Sequence, residues 1–212
     1  MARAFAKISF TPSVVSLQKQ HGSDKAYSKF LLPDVLSGDR LSEAEASFIM
    51  ERDSFYQASA SQDGWPYVQY RGGPTGFLKI INSQTLAYAD FRGNRQYISA
   101  GNISENDRVS LILVDYPNQR RLKIWGRAKL VTLADDPDLI ASLHDETYRA
   151  KPERAVIIKV EAFDWNCPQH IHPRYTLEQL EPQITEMQTQ IHALQEDNRA
   201  LKAKLNSKSP TP

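Results

Sequence analysis

The chain has 212 residues, a length that suits one domain of moderate size with an appendage. Its composition, 41% hydrophobic and 24% charged, is that of a globular protein and excludes wholesale disorder. Lys and Arg total 26 against 25 Asp and Glu, and the net charge of +1 excludes a general attraction to nucleic acid or anionic membranes. Any anion site must therefore be local.

The sequence contains one cysteine, Cys167, so no intramolecular disulfide can form. This favours a reducing compartment, and the cytoplasm is the default expectation. The first residues lack an uninterrupted apolar core of signal-peptide length, and no apolar run approaches the roughly 18 residues of a membrane span. We therefore expect a soluble protein.

The predicted elements begin after an N-terminal extension, residues 1–41, that has no assigned role. From Ser42 the pattern Ser-Glu-Ala-Glu is a capping box, which predicts a short helix to about Arg52. Turn residues then separate a series of strand-like runs, with helices predicted at 94–101 and from about Asp136. The predicted strands are FYQASA, PYVQYR, GFLKII, TLAYA, RVSLILVDY, RLKIWGRAKLVTL and RAVIIKVEAF.

Short strands at close spacing, with few and short helices, favour a mainly β fold. A closed or nearly closed barrel suits this pattern better than an alternating β/α sheet, because closure removes exposed sheet edges. We place the barrel domain at residues 42–175, a C-terminal helix at 176–206 and a disordered tail at 207–212.

The C-terminal segment carries apolar residues alternately three and four apart, the 3.5-residue period of a coiled coil. Asn198 at an a position favours a parallel two-stranded coil, because paired asparagines hydrogen-bond across the seam only in register. Asp197 at g can pair with Lys202 at e of a partner, and Pro182 at f is expected in the first turn. The alternative is a single helix that packs on its own domain, but the period and the polar opposite face favour the dimer. The seam is Leu177, Leu180, Ile184, Met187, Ile191, Leu194, Asn198, Leu201 and Leu205.

The stretch DFRGNRQY follows the predicted strand TLAYA. Gly93 permits a positive φ or a close backbone approach, and Arg92, Asn94, Arg95 and Gln96 supply donors. A helix starting here would direct its free N–H groups at the same place, and the combination suits a phosphate monoester. The alternative is a solvent-exposed turn, since the glycine spacing of a Walker loop or a dinucleotide fingerprint is lacking.

Two further clusters carry polar groups. In VQYRGGP, strand alternation places Gln69 and Arg71 on one face, which could also be an ordinary solvated face. In WNCPQHIHPRY, Cys167, His170 and His172 could ligate a metal, but zinc sites usually need four ligands and no second Cys and His cluster exists. We therefore expect no metal site, and Cys167 has no orienting acid that would make it a nucleophile.

In chain order, QYRGGP, DFRGNRQY, RLKIWGRAKL and WNCPQHIHPRY resemble the motifs of the pyridoxamine 5′-phosphate oxidase-like flavin-binding family. The resemblance is closest to the branch described as predicted flavin-nucleotide-binding proteins and covers roughly residues 42–175. It implies a split-barrel fold and a homodimer with FMN at the subunit interface, each site being built from both chains.

The resemblance also implies which residues contact FMN. Gln69 stands where the oxidases usually have an arginine, Arg95 matches a phosphate-binding cation, and Asn94 departs from one. Arg121 stands where the oxidases carry a flavin-contacting glutamine. The implied contacts are Gln69, Arg71, Tyr88, Ala89, Asn94, Arg95, Gln96 and Arg121, with Trp165 and Arg174 from the second chain.

On the substrate side the sequence departs from the oxidases. Their Arg-Leu-His-Asp-Arg corresponds to residues 170–174 here, so the substrate-phosphate arginine becomes His170. A neutral imidazole is a poorer phosphate partner than a guanidinium, and oxidation of pyridoxamine phosphate is therefore not expected. His172, and after it His170, is the substrate-side candidate.

Three functions stay open at this point. The first is an FMN-dependent oxidoreductase of unknown substrate. The second is a non-catalytic flavin- or haem-binding or sensory module whose coiled coil docks a partner. The third is a coiled-coil scaffold with a vestigial barrel.

Overall fold

The structure is a computed structural model that describes residues 3–32, 37–166 and 168–208. The chain divides into two compact units, with the division between Ile171 and His172. The helices are α1 (Arg3–Ser9), α2 (Pro12–Gln20), α3 (Asp24–Ser28), α4 (Glu43–Met50), α5 (Ile98–Glu105), α6 (Pro137–Leu143) and α7 (Leu177–Lys208), with a short 3-10 helix at Lys29–Leu31. The strands are β1 (Ser54–Ala60), β2 (Pro66–Gly72), β3 (Lys79–Asn82), β4 (Thr85–Phe91), β5 (Arg108–Asp115), β6 (Arg120–Thr132) and β7 (Pro152–Trp165).

The first unit is built on one 7-stranded antiparallel sheet in the order β2-β1-β5-β6-β7-β4-β3. The strand order leaves β2 and β3 at its two ends, so backbone hydrogen bonds do not close the barrel. Side chains bridge the opening instead: Arg71 Nη1 on β2 donates to Asp90 Oδ1 on β4 at 2.6 Å. The fold is the split barrel that the resemblance implied, and the predicted strands are confirmed.

The core lies on the inward face of the curved sheet and under α4. Alternate residues of each strand are buried, as the pattern of β5 shows by alternating exposed and buried positions from Arg108 onward. Phe48 and Ile49 of α4 cover one end of this core. The largest fully buried side chains are Tyr88, Phe48, Phe55, Ile49, Leu78, Leu86, Leu111, Leu113, Leu122, Ile124, Ile140 and Ile158.

The N-terminal extension covers part of the outer face of the sheet. Three residues of α1 are buried: Ala4, Phe5 and Ala6. The ring centroids of Phe5 and Trp125 on β6 lie 4.6 Å apart. Lys123 Nζ lies 4.4 Å from the centroid of the Phe5 ring. The start of residues 1–41 therefore packs over part of β6 and β7, a role that the sequence pattern did not indicate.

One predicted helix was placed wrongly. The sequence predicted a helix at 94–101, whereas α5 runs from Ile98 to Glu105. Arg95 and Tyr97 have φ values of 63° and 56°, in the left-handed region that a right-handed helix excludes. The segment before Ile98 is consequently a loop.

The second unit contains α7, a helix of 32 residues. A reciprocal pair begins it, because Thr176 N donates to Gln179 Oε1 at 3.0 Å and Gln179 N donates to Thr176 Oγ1 at 3.3 Å. Pro182 is therefore the sixth helical residue, and its expected place in the first turn was wrong. The helix continues through Lys208, into the predicted tail, and residues 209–212 lie outside the described residues. Within the described parts of the chain, no helix is long and apolar enough to cross a membrane.

The predicted capping box is present and makes the stability of α4 depend on pH. Glu45, 7% exposed, accepts hydrogen bonds from Ser42 N at 2.9 Å and Trp165 Nε1 at 2.7 Å. Burial alone would raise the pKa of Glu45, but hydrogen bonds from Ser42 and Trp165 hold that pKa below its ordinary value. At a pH above the unfolded-state pKa of Glu45, the carboxylate therefore stabilises the folded state. This stabilisation is lost as the pH falls through the lower folded-state pKa.

We expect Glu45→Gln to lower the free energy of unfolding at pH 7 by about 1–3 kcal/mol, the scale of hydrogen bonds to a charged group. The deficit should shrink as the pH falls below the ordinary glutamate value of 4.5. Urea unfolding of both proteins across this pH range measures it, and a deficit that does not change with pH would contradict the assignment.

Candidate functional site

A cavity of about 210 Å³ lies where β2, the end of β4, the start of α5 and the start of β7 meet. It contains the basic loop DFRGNRQY, in which the sequence predicted an anion site. The cavity lies at the split between the two ends of the sheet. The lining residues are Tyr67, Gln69, Arg71, Asp90, Phe91, Gly93, Asn94, Arg95, Gln96, Tyr97, Ile98, Ser99, Ala100, Glu153 and Arg154.

The loop between β4 and α5 is held in an uncommon backbone conformation. Arg95 and Tyr97 are both left-handed, and Gln96 N donates to Asn94 Oδ1 at 3.1 Å. Tyr97, at the N-cap of α5, makes no side-chain cap hydrogen bond. The first N–H groups of α5 lack that partner, and together with the helix dipole they form a favourable place for an anion.

An ion-pair cluster forms the wall of the cavity. Asp90 accepts from Arg71 Nη1 at 2.6 Å, and its other oxygen lies 3.4 Å from Arg154 Nε. The Asp90 side chain is 12% exposed, so it pairs with both guanidinium groups largely away from water. Arg154 also contacts Glu153, with Nη2 2.8 Å from Oε2. In the described parts of the chain, Arg71 Nε makes no hydrogen bond, and the contact of Arg154 Nε with Asp90 is an ion pair without hydrogen-bond geometry.

The charges of the cavity sum to an excess of positive charge. Three guanidinium groups and two carboxylates line it, which leaves one positive charge. Arg92, whose Nε lies 3.6 Å from Glu153 Oε1, adds a second positive charge beside the cavity. A phosphate monoester carries about 1.5–2 negative charges at neutral pH and would balance this excess.

Gln69 is oriented by a contact from α5. Ser99 Oγ donates to Gln69 Oε1 at 2.9 Å, which occupies the carbonyl end of the amide. A second side-chain bond, from Asn102 Nδ2 to Ser59 Oγ at 3.1 Å, anchors the same helix to β1. Gln69 lines the cavity, and the hydrogen bond from Ser99 fixes its amide oxygen on the side of α5.

Tyr88 and Ala89 lie behind the ion-pair cluster. Tyr88 is 1% exposed, and its hydroxyl donates to Gln57 Oε1 at 2.8 Å. Burial raises the pKa of Tyr88, an effect that Arg71 partly offsets, so the phenol stays protonated. Both residues line a neighbouring cavity of about 270 Å³, which shares Arg71, Asp90, Phe91 and Gly93 with the first.

Trp165 and Arg121 lie elsewhere in the barrel and do not line the first cavity. Besides donating to Glu45, Trp165 packs edge-on against Phe48, with ring centroids 4.7 Å apart. Arg120 lies over the Trp165 ring at 4.9 Å, and Asn166 N donates to Arg121 O at 3.0 Å.

The remaining predicted residues follow β7. His170 is exposed, with a φ of 66°, in a turn closed by Ile171 N donating to Pro168 O at 3.2 Å. His172 and Arg174 belong to the second unit. Cys167 lies outside the described residues, and among the described ones no group of three His, Cys, Asp or Glu could hold a metal ion.

The sequence did not reveal the residues that complete the cavity wall. Asp90 was taken as part of the basic stretch without a partner, Arg154 only as the start of a predicted strand, and Glu153 was not singled out. The register of β4 with β7 pairs Asp90 with Arg154 across the sheet. Strand periodicity cannot reveal that pairing, although an acid directly after a buried strand, amid basic residues, was a usable signal.

Solved structures of three proteins are similar to parts of this chain at low sequence identity. The streptococcal protein HupZ of Group A Streptococcus is 16% identical over 64% of this chain and 99% of its own, with a TM-score of 0.49. A putative pyridoxamine 5′-phosphate oxidase of Lactobacillus delbrueckii is 20% identical over 59% and 94%, with a TM-score of 0.45. An FMN-binding protein of Syntrophomonas wolfei is 13% identical over 73% and 97%, with a TM-score of 0.45.

Curated proteins gave no match to this chain. A sequence model described as pyridoxamine 5′-phosphate oxidase, however, matches residues 41–166, a span that runs from the capping box of α4 to the end of β7 and contains the whole cavity. The chain belongs to the pyridoxamine 5′-phosphate oxidase family.

Proposed function

We propose that this protein is an FMN-binding homodimer with redox activity, located in the cytoplasm, and that the flavin phosphate binds in the cavity at the end of β4. The observation that carries the proposal is the basic loop ahead of α5. It brings Arg95 and uncapped helical N–H groups to one cavity with an excess of positive charge.

The residues present fit a phosphate monoester and the chain attached to it. Arg95 is fully exposed to an incoming anion, and a hydrogen bond with Tyr97 raises the pKa of its guanidinium. Asn94 and Gln96 flank it as neutral donors, and Arg71 stands at the inner end of the cavity. Gln69, whose amide oxygen accepts from Ser99, would donate to the ligand through its NH₂ group. Tyr88 and Ala89 would lie along the flavin, beyond the ion-pair cluster.

The flavin, when bound, supplies the acceptor of a hydride or of single electrons. The chain's own residues bind its phosphate, orient it and exclude water. His172, and after it His170, remains the substrate-side candidate, and we assign no general base. The exchange of an arginine for His170 argues against pyridoxamine phosphate as substrate, because a neutral imidazole lacks the fixed charge and the rigid fork of a guanidinium.

A second copy would complete the site. On the outer face of β1, β2 and β5, Tyr56 is 40% exposed, Val68 60%, Tyr70 59% and Ile112 36%. Strand register places Tyr56 between Tyr70 and Ile112, so these side chains form one apolar surface beside the part of the sheet that α1 covers. A surface of this kind marks an interaction site. The partner would bring Trp165 and Arg174 to the flavin, and Arg121 would contact it from the first chain.

We expect Arg95→Ala to weaken FMN binding by roughly 10- to 100-fold, the scale of one charge-assisted hydrogen bond. Titration of the purified protein with FMN, followed by quenching of flavin fluorescence, measures this affinity. Lys129→Ala is the matched control, because Lys129 is exposed on β6 and outside the cavity. An unchanged affinity in the Arg95 variant would remove that residue from the site, and no binding in any variant would refute the proposal.

Steady-state turnover separates an oxidoreductase from a binding module. We expect the FMN-loaded protein to oxidise NADH or NADPH with an added acceptor, and not to oxidise pyridoxamine phosphate. Bound FMN without turnover of any reductant would instead favour a flavin-binding module.

A further inference from the structure

We propose that α7 pairs with α7 of a second copy as a parallel, in-register, two-stranded coiled coil with Asn198 opposite Asn198, and that this pairing keeps two barrel units together at low protein concentration. The pairing itself stands on α7 alone. Its consequence for the flavin rests on the proposed function.

The seam of α7 is a continuous apolar stripe in water. Leu177 is 82% exposed, Leu194 64% and Leu205 69%, and the intervening seam residues are exposed or half-buried. At about 1.5 Å per residue the 32-residue helix is about 48 Å long. Burying this stripe against an identical one removes apolar surface from water along the whole length of the helix.

Asn198 distinguishes the two possible orientations. In a parallel pair a positions face a positions, so the two Asn198 amides meet and hydrogen-bond to each other. In an antiparallel pair centred on the seam, a positions face d positions, and Asn198 would lie opposite Met187. That arrangement leaves an amide beside a thioether with no good partner, a cost that the parallel arrangement avoids.

The charged residues at the e and g positions beside the seam oppose neither orientation, and in the parallel one they form ion pairs. In a parallel dimer, Asp197 at g faces Lys202 at the following e position of the partner. Because the dimer is symmetric, this gives two interchain ion pairs. The other g and e positions that face each other carry neutral glutamines, so no like charges oppose the pairing: Gln183, Gln188, Gln190 and Gln195.

The occupant that fits this seam best is a second copy of the chain. A partner must place a polar residue at the layer of Asn198 and a cation opposite Asp197. An identical helix in register meets both conditions at once, whereas a foreign helix would need the same spacing by coincidence.

Pairing in this orientation places the first turns of the two helices side by side. The chain between Ile171 and Leu177 is short, so two barrel units joined this way are held at a high effective concentration. Tethering of this kind typically strengthens association by 10²–10⁴-fold without any new contact in the tethered interface.

The first test disrupts the seam in the full-length protein. Ile191→Asp with Leu194→Asp puts charges at a and d, and we expect the dimer dissociation constant to rise at least about 100-fold. Thr189→Asp with Ala193→Asp is the control, since it makes the same charge change on the outer face of the helix. Sedimentation velocity over a dilution series, without flavin, measures both. Equal dissociation constants for the two variants would overturn the proposal.

The second test fixes the orientation by cross-linking in a Cys167→Ser background. We expect N198C to form an interchain disulfide rapidly under mild oxidation, because its two sulfurs would face each other. A mixture of N198C and M187C should give 198–198 and 187–187 links and few 198–187 links, because a faces a and d faces d in a parallel pair. Preferential 198–187 links would establish the antiparallel orientation and overturn the proposal, and so would the absence of any link.

FMN binding is measured in a separate experiment. With the seam disrupted, we expect FMN affinity to fall as the protein is diluted, whereas the control variant should keep its affinity. If no variant binds FMN, the proposed function fails while the dissociation constants and cross-links still decide the coiled coil.

Discussion

We expect Asp90→Ala to lower the free energy of unfolding by about 3–5 kcal/mol, the cost of removing one partner from a buried ion pair. Asp90 is 12% exposed and contacts two guanidinium groups, those of Arg71 and Arg154. Without it, these two positive charges would face each other across the split of the barrel. Urea unfolding, compared with wild type, measures the loss.

Asp63→Ala provides the control, because Asp63 is exposed in the turn between β1 and β2 and should change stability by no more than about 0.5 kcal/mol. Bound FMN should reduce the deficit of the Asp90 variant, since its phosphate would supply the missing negative charge. A loss below about 1 kcal/mol would mean that Asp90 is not needed to hold the two ends of the sheet together.

The second large effect is expected at Phe48, which is 1% exposed at the covered end of the core. Its ring packs against Trp165, and the guanidinium groups of Arg52 and Arg120 lie 4.7 and 5.2 Å from its centroid. Phe48→Ala would leave a cavity beneath all three groups. We expect a loss of about 3–5 kcal/mol in the free energy of unfolding.

Phe48→Leu keeps most of the volume and should cost less than about 1.5 kcal/mol. Chemical unfolding followed by tryptophan fluorescence measures both variants, and the emission of Trp165 should also shift in Phe48→Ala because its packing changes. Equal losses for the two variants would show that packing volume at this position does not decide stability.

Much of the barrel could be predicted because its signals are local. Alternating apolar residues, the turn at Gly72 and the Ser42–Glu45 capping box each depend on a few adjacent residues. The resemblance then supplied the split-barrel topology, which periodicity alone could not.

The misplaced start of α5 has a different cause. Arg95 and Tyr97 adopt left-handed backbone conformations that are uncommon for such residues. Their side chains give no local signal for this geometry, because the surrounding fold and not local propensity selects it. Strained positions of this kind cluster at functional sites, which agrees with their place in the cavity.

The composition of the site was harder to predict than its location. DFRGNRQY indicated where an anion could bind, and Gln69, Arg71, Asn94, Arg95 and Gln96 do line one cavity. Of the two carboxylates that set its net charge, Asp90 lies in that stretch, whereas Glu153 comes with Arg154 from a strand far along the chain, through a register that only the folded sheet defines.

Pro182 was expected one turn too early in the C-terminal helix. The helix was placed at 176–206, and the reciprocal hydrogen bonds of Thr176 and Gln179 begin it there, so Pro182 falls in the second turn. At an f position the proline points away from the seam, so the helix carries it there without disturbing the predicted pairing surface.

Comparing FMN with riboflavin tests most directly whether the cavity at the end of β4 holds a flavin phosphate. The two ligands share the ring and the ribityl chain and differ in the phosphate. Fluorescence titration of the wild-type protein should give an affinity for FMN at least about tenfold higher than for riboflavin. This preference should weaken as salt is raised and largely disappear in Arg95→Ala. Equal affinities of the wild-type protein for the two ligands would mean that the cavity does not bind the flavin phosphate.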